Sequence, residues 1–179
     1  EFVGKKINDL FDPEKGEFFR EQIRTALATN QTCTFEYNLE IASVQKWFAA
    51  TISPMKENTA LWVARDITER KQAENWLTGQ KQILEMIAKG DPLGDTLNTL
   101  VEIIEQQSRD IIGSILLLAP DGKHLLHGAA PSLPDSYNAA IHGIAIGPDV
   151  GSCGTAAFSR QQVIVTDIAS DPLWKNFRD

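Results

Sequence analysis

From Thr32 to Ile41 apolar and polar residues alternate without a break. Phe35, Tyr37, Leu39 and Ile41 fall on one face, and Thr34, Glu36, Asn38 and Glu40 on the other. That period of two is the mark of a half-buried strand. Two more strand segments follow across short polar connectors, Gln45 to Ser53 and Thr59 to Ile67, and at Thr68 the period changes to that of a helix. Adjacent strands with such connectors form an antiparallel meander, whose apolar face needs cover. The stretch before it supplies that cover. Asp12-Pro13 opens a helix, Phe18, Phe19, Ile23, Ala26 and Leu27 recur at three- and four-residue steps, and Asn30 ends it.

The helix after the meander begins at Thr68, a residue suited to the N-cap, although Lys71 leaves the capping box incomplete. Gly90 stops it in the usual C′ position. Arg70, Ala73, Leu77, Gln80, Leu84 and Ile87 step by three and four, an a/d seam with two polar interruptions. Two readings stand side by side: a helix packed on its own domain, or a signalling helix paired in a parallel dimer through Ala73, Leu77, Leu84 and Ile87.

Beyond Gly90 the elements change again. Asp91-Pro92 restarts a helix with Leu93, Leu97, Leu100, Val101 and Ile104 on one face. An apolar strand, Ile111 to Ala119, meets the turn Pro120-Asp121-Gly122, and Lys123 to Ala129 returns as its hairpin partner. A loop and short helix cover PSLPDSYNAAI. Gly143, Gly147, Pro148, Gly151 and Gly154 cluster in or near one loop before a short helix. QVIVTDI (162–168) reads as a strand, and SDPLWKNFRD (170–179) as a turn or helix. The fold class expected is therefore α+β: domain 1–68, linker helix 69–90, domain 91–179.

Charge narrows the function. Residues 1–90 hold 12 basic and 13 acidic groups, a balance of −1, whereas residues 91–179 hold 5 and 11, a balance of −6. The acidic half repels phosphate backbones, so no nucleic-acid partner is expected. Cys33 and Cys153 lie far apart with no CxxC pair, which suits a reducing cytosol and a cytoplasmic location. No apolar run nears the roughly 20 residues of a membrane helix, so no membrane contact is expected here, though a parent chain tethered elsewhere is compatible. The chain opens on Glu1, as a piece of a longer protein would.

Catalytic motifs are missing: there is no G-x-S-x-G, no Walker loop and no H-E-x-x-H. No catalytic residue is expected in this stretch. His124 and His127 lie on a strand without cysteine or carboxylate neighbours at ligand spacing, so no metal site is expected.

The string ARDITERKQAE, preceded by FVGKKINDLFDPE, the helix FFREQIRTALATN and three strands with Trp47 opening the middle one, resembles the C-terminal part of a PAS domain, with its PAC edge, over residues 1–68. Residues 91–179 resemble the N-terminal part of a GAF domain, on the Pro120-Asp121-Gly122 hairpin, GPDVGSCGTAAF and VIVTDIASDPLWKNFRD. Both resemblances imply antiparallel-sheet sensory domains cut short, the first lacking its opening strands and the second its closing ones. Such tandems imply a multidomain bacterial signal-transduction protein, chiefly a sensor histidine kinase of a two-component phosphorelay. A diguanylate cyclase or phosphodiesterase, and a dimerisation spacer that binds nothing, are the alternatives.

The resemblance also frames the sites. Haem-binding relatives carry a His on the helix held here by FFREQIRTALATN, and flavin-binding ones a reactive Cys in the segment equivalent to KKINDLF. Neither residue is present, so His-ligated haem and cysteinyl-flavin are disfavoured and the cofactor stays unknown. Phe35, Tyr37 and Leu39 form either one wall of a small-molecule pocket or plain core. Gly151, Ser152, Cys153 and Thr155 suit a second ligand wall, where glycines let backbone approach a ligand. Cys153 reads either as a pocket, redox or attachment residue or as a small buried cysteine at a tight turn. Asp66, Ile67 and Thr68 join the last strand to the helix, either to transmit a sheet movement or as an ordinary cap with a surface acid.

Overall fold

A computed structural model describes residues 4–107 and 111–177. The chain is mixed α/β with two small antiparallel sheets, and it divides into two compact units, Glu1–Asn75 and Trp76–Asp179.

In the first unit a single helical turn, α1 (Ile7–Leu10), sits where the sequence suggests a loop; the Asp9 carboxylate accepts the Lys6 N–H at 3.0 Å. Helix α2 (Pro13–Thr29) starts as its residues dictate. Asp12 accepts the Lys15 N–H, Pro13 occupies the first turn, and Asn30 ends it in the left-handed conformation. Strands β1 (Cys33–Ile41), β2 (Val44–Pro54) and β3 (Ala60–Asp66) pair in the order β1-β2-β3, all antiparallel. The first hairpin closes more tightly than its polar connector suggests. Ile41 pairs with Val44, leaving only Ala42 and Ser43 in the turn, at φ 51 and 64. Both residues are left-handed, the backbone of the primed turns that match strand twist.

The pairing Phe35↔Ala50, Tyr37↔Phe48 and Ile52↔Trp62 puts one face of the sheet under α2. Phe19 is the centre of that core. It is 0% exposed, and its ring centroid lies 4.8 Å from those of Phe11 and Tyr37 and 5.0 Å from that of Trp62. Ala26, Ala50 and Ile52 complete the dry layer.

Helix α3 runs Thr68–Lys89 and crosses from one unit into the other. Its end is a complete Schellman motif: Gly90 N–H donates to Ile87 O (3.1 Å) and Asp91 N–H to Met86 O (3.0 Å), with Gly90 at φ +75. In the second unit α4 (Leu93–Gln107) folds back, so that Gly79 of α3 lies against Ile103; a Cβ on Gly79 would stand 2.6 Å from Ile103 Cγ2. Val101 of α4 is buried at 2% exposure. Strands β4 (Ile115–Leu118), β5 (His124–Ala129) and β6 (Ile144–Ala145) form the second sheet in that order, with α4 packed on β5. Helices α5 (Asp135–Ile141) and α6 (Gly151–Ser159) and a 3₁₀ turn at Pro172–Trp174 complete the unit.

Two expected strands are corrected. The segment Ile111–Ala119 is strand only from Ile115 to Leu118, because Gly113 docks on α4 instead: its N–H donates to Glu105 Oε1 at 2.8 Å. Residues 162–168 are not a strand at all. Ile164 and Ile168 are exposed, and the Asp167 carboxylate accepts the Ala169 N–H (3.0 Å) and the Ser170 hydroxyl (2.5 Å), which bends the chain into a turn. Of the closing stretch SDPLWKNFRD, Arg178 and Asp179 lie outside the described residues.

Candidate functional site

Two places gather the residues singled out in the sequence. The first is the junction of β3 with α3. Ile67 is buried; its N–H donates to Trp47 O at 2.8 Å, and its own carbonyl accepts the Lys71 N–H at 3.0 Å, the first bond of the helix. Thr68 therefore does not cap α3 as expected, because its hydroxyl is engaged twice elsewhere. It donates to Asp66 Oδ1 (2.6 Å) and accepts the backbone N–H of Trp47 on β2 (3.0 Å). Asp66 Oδ1 also accepts the Thr68 N–H at 2.9 Å and so does the capping from the strand end. One threonine thus joins the middle strand, the end of the last strand and the first turn of the helix.

Charge reinforces the joint. Thr68's hydroxyl, then its N–H, then Lys46 Nζ at 3.4 Å hold the Asp66 carboxyl below its usual pKa. On the outer face of the sheet Glu36 meets two cations of α3, Lys71 at 2.6 Å and Arg70. Hydrogen bonds from Lys71 first and Arg70 second lower the Glu36 pKa, and the pairing raises those of both bases. Lys71 also stands 5.4 Å from the Trp47 ring centroid, a cation–π distance. Each exposed pair is weak alone, but together they bear on a single helical turn.

Farther along α3 the residues of the expected seam are unpacked: Leu77 is 64%, Leu84 66% and Ile87 61% exposed, and Ala73 is exposed too. The face that packs is a different one, carrying buried Gly79 and half-buried Ile83 and Met86.

The second place is a cavity of about 260 Å³ within the second unit. Gly151, Ser152 and Cys153, at the start of α6, line it. Gly151 sits there at φ +53, a left-handed backbone in which any other side chain is strained, and it lies beside the Trp174 ring, which a Cβ would meet at an ordinary contact distance of 3.5 Å. Trp174 Nε1–H donates to Ser152 Oγ at 3.1 Å, so the 3₁₀ turn is fastened over the helix N-terminus. Thr155 does not line the cavity. Its hydroxyl accepts the Val150 N–H (3.3 Å) and donates to Pro148 O (3.2 Å), holding the entry turn of α6. Cys153 retains solvent exposure as a residue, yet its thiol belongs to the cavity wall, and desolvation raises its pKa. The Tyr137 hydroxyl is shifted up chiefly by desolvation and secondarily by its neighbour Cys153. A thiol held protonated is a poor nucleophile.

Sequence reasoning passed over Tyr137, Trp174 and Phe177, the three rings of this cavity. Their only signal is aromatic residues in two short helical segments on either side of a glycine cluster. Phe35 and Tyr37, by contrast, face the Phe19 ring, which occupies the space beneath β1, and Leu39 is half-buried on the same face. His124 Nδ1 pairs with Asp121 in the hairpin turn at 2.5 Å, and His142 Nδ1 accepts the His127 N–H at 3.2 Å. Among the described residues no group of three His, Cys, Asp or Glu side chains is placed to hold a metal ion, and no helix is long and apolar enough to cross a membrane.

With this geometry in hand, comparisons with known proteins give two findings. Residues 1–72 match the family described as PAS fold. The chain is also 39% identical over 114 residues to a methyl sulfide methyltransferase-associated sensor of Methanosarcina acetivorans; the match covers 64% of this chain and 11% of that relative.

Proposed function

We propose that these residues form the sensory part of a larger signal-transduction protein, in which α3 carries changes in the sheets to an output domain. The observation that carries this reading is the bonding of Thr68, which no movement of β2 against β3 can leave undisturbed. The match of residues 1–72 to the PAS fold and the likeness to a sensor agree with it. A switch of this kind needs only that a ligand or redox state favour one of two helix arrangements.

In this reading residues 91–179 are a GAF-like second sensory domain, α3 is the linker, and the output domain is a histidine kinase of a two-component phosphorelay. The protein works as a homodimer in the cytoplasm, paired along Ala73, Leu77, Leu84 and Ile87. The exposure of that stripe on a helix whose opposite face is packed supports the pairing. It equally supports the narrower role of a dimerisation spacer.

Sedimentation of the 179-residue chain tests the pairing. Wild type is expected to associate at micromolar concentration, and Leu77→Lys with Leu84→Lys to weaken association at least a hundredfold, since two charges replace the centre of the apolar seam. Both residues are exposed in the single chain, so the circular dichroism spectrum stays unchanged. Undiminished association of the double variant rejects pairing through α3.

A further inference from the structure

We infer that the cavity of the second unit binds an uncharged molecule of one or two rings, with Trp174 as its closing wall. This deepens the sensory reading and rests on it only for its biological use. Three features carry the inference.

Size comes first. An apolar cavity of about 150 Å³ accepts one benzene-sized ring, and this one measures about 260 Å³. That is enough for two fused rings and too little for a macrocycle.

Chemistry comes second. Tyr137, Trp174 and Phe177 supply aromatic surfaces, and Leu116, Ile141 and Ile144 an apolar floor. Among the described residues that line the cavity none is Asp, Glu, Lys, Arg or His. A carboxylate, phosphate or ammonium would enter without a counter-charge, and burying an unpaired charge is strongly unfavourable. The polar lining of Ser114, Ser152, Cys153 and Asn176 offers hydroxyl, thiol and amide groups, suited to one neutral oxygen or nitrogen function.

Closure comes third. The 3₁₀ turn is held to α6 by the side-chain hydrogen bond from Trp174 to Ser152, with the indole beside Gly151, where a Cβ would stand 3.5 Å from the ring. Asp171 caps the turn by accepting the Leu173 N–H at 2.9 Å, and Phe177 meets Trp174 edge-on at 6.3 Å between centroids. Trp174 is thus tied to the helix through its indole N–H, and it also lines the cavity. It fixes the shape that a flat ligand must match.

The test uses the whole 179-residue chain and two probes of one shape, 2-naphthol and 2-naphthoate, at pH 7. The readout is the indole N–H resonance of Trp174, assigned by its loss in Trp174→Phe. Saturable movement of that resonance with 2-naphthol is expected, with binding of 2-naphthoate at least tenfold weaker. In Ala140→Phe, which fills the cavity, the movement should disappear while the indole resonances of Trp47 and Trp62 keep their positions. Equal or tighter binding of the carboxylate overturns the inference, as does the absence of saturation with 2-naphthol. Should Ala140→Phe fail to fold, the comparison of the two probes on wild type decides alone. Because the readout lies at Trp174 and not on α3, failure here leaves the relay reading standing, and failure of the relay leaves this site standing.

Discussion

Replacing Phe19 by alanine is expected to destabilise the first unit by about 3–5 kcal/mol, the range for a large aromatic removed from a closed core. Phe19 has no exposed surface and is in ring contact with Phe11, Phe18, Phe35, Tyr37 and Trp62. Its loss opens a void bounded by rings of α2, β1 and β3 and by Phe11, which cannot all collapse into it. The effect is large against the 5–15 kcal/mol that holds an ordinary domain together. Urea unfolding followed by tryptophan fluorescence in a chain with Trp76 and Trp174 replaced by Phe measures it, since the Trp62 indole lies 5.0 Å from the deleted ring. Phe18→Ala is the companion variant. Phe18 is 42% exposed and meets the Phe19 and Phe35 rings from the solvent side, so its removal should cost less than half as much. Equal costs for the two would mean that Phe19 is not the centre of the core.

Gly128→Val is the corresponding prediction for the second unit. Ile115 pairs with Ala129 and Leu116 with His127, which leaves Gly128 as the extra residue of a bulge in β5. A Cβ there would stand 2.9 Å from the carbonyl oxygen of Ile115, 3.2 Å from Leu117 Cγ and 3.3 Å from Leu97 Cδ1 of α4. The first of these is backbone and cannot swing aside. Strand β4 must part from β5, or α4 must lift. Forcing extra volume into a packed site costs about 1–3 kcal/mol, which for a unit of this size lowers the melting temperature by at least ~4 °C. Thermal unfolding by circular dichroism reads it. A melting temperature within a degree of wild type would show that the bulge relaxes freely.

Residues with a strong local code were legible. The alternation of Thr32–Ile41 names the strand and its buried face, and Gly90 names the end of α3, because in both cases neighbours in sequence determine the structure. What was not legible depends on partners distant in the chain. The run QVIVTDI is rich in β-branched residues, yet among the described residues no strand pairs with it, and Asp167 folds it into a turn instead. The same holds at the site. Asp66 and Thr68 stand out because they sit where the period changes, but that Thr68 serves Trp47 and not the helix is a fact of β2–β3 pairing. Gly151 to Cys153 were visible as a glycine-rich turn, whereas Trp174 reaches them only through the fold.

Hydrogen exchange at the first two turns of α3, residues 69–75, reads the coupling of sheet to helix most directly. Asp66→Ala removes the acceptor of the Thr68 N–H and hydroxyl protons and leaves the Thr68 hydroxyl bonded to β2 alone, through the Trp47 N–H. Exchange in that segment at pH 7 is expected to be several-fold faster than in wild type, with the central amides of β2 at Ala50 and Ile52 unchanged. Identical exchange in α3 of the two proteins would contradict it, since the helix would then be held independently of the strand it follows.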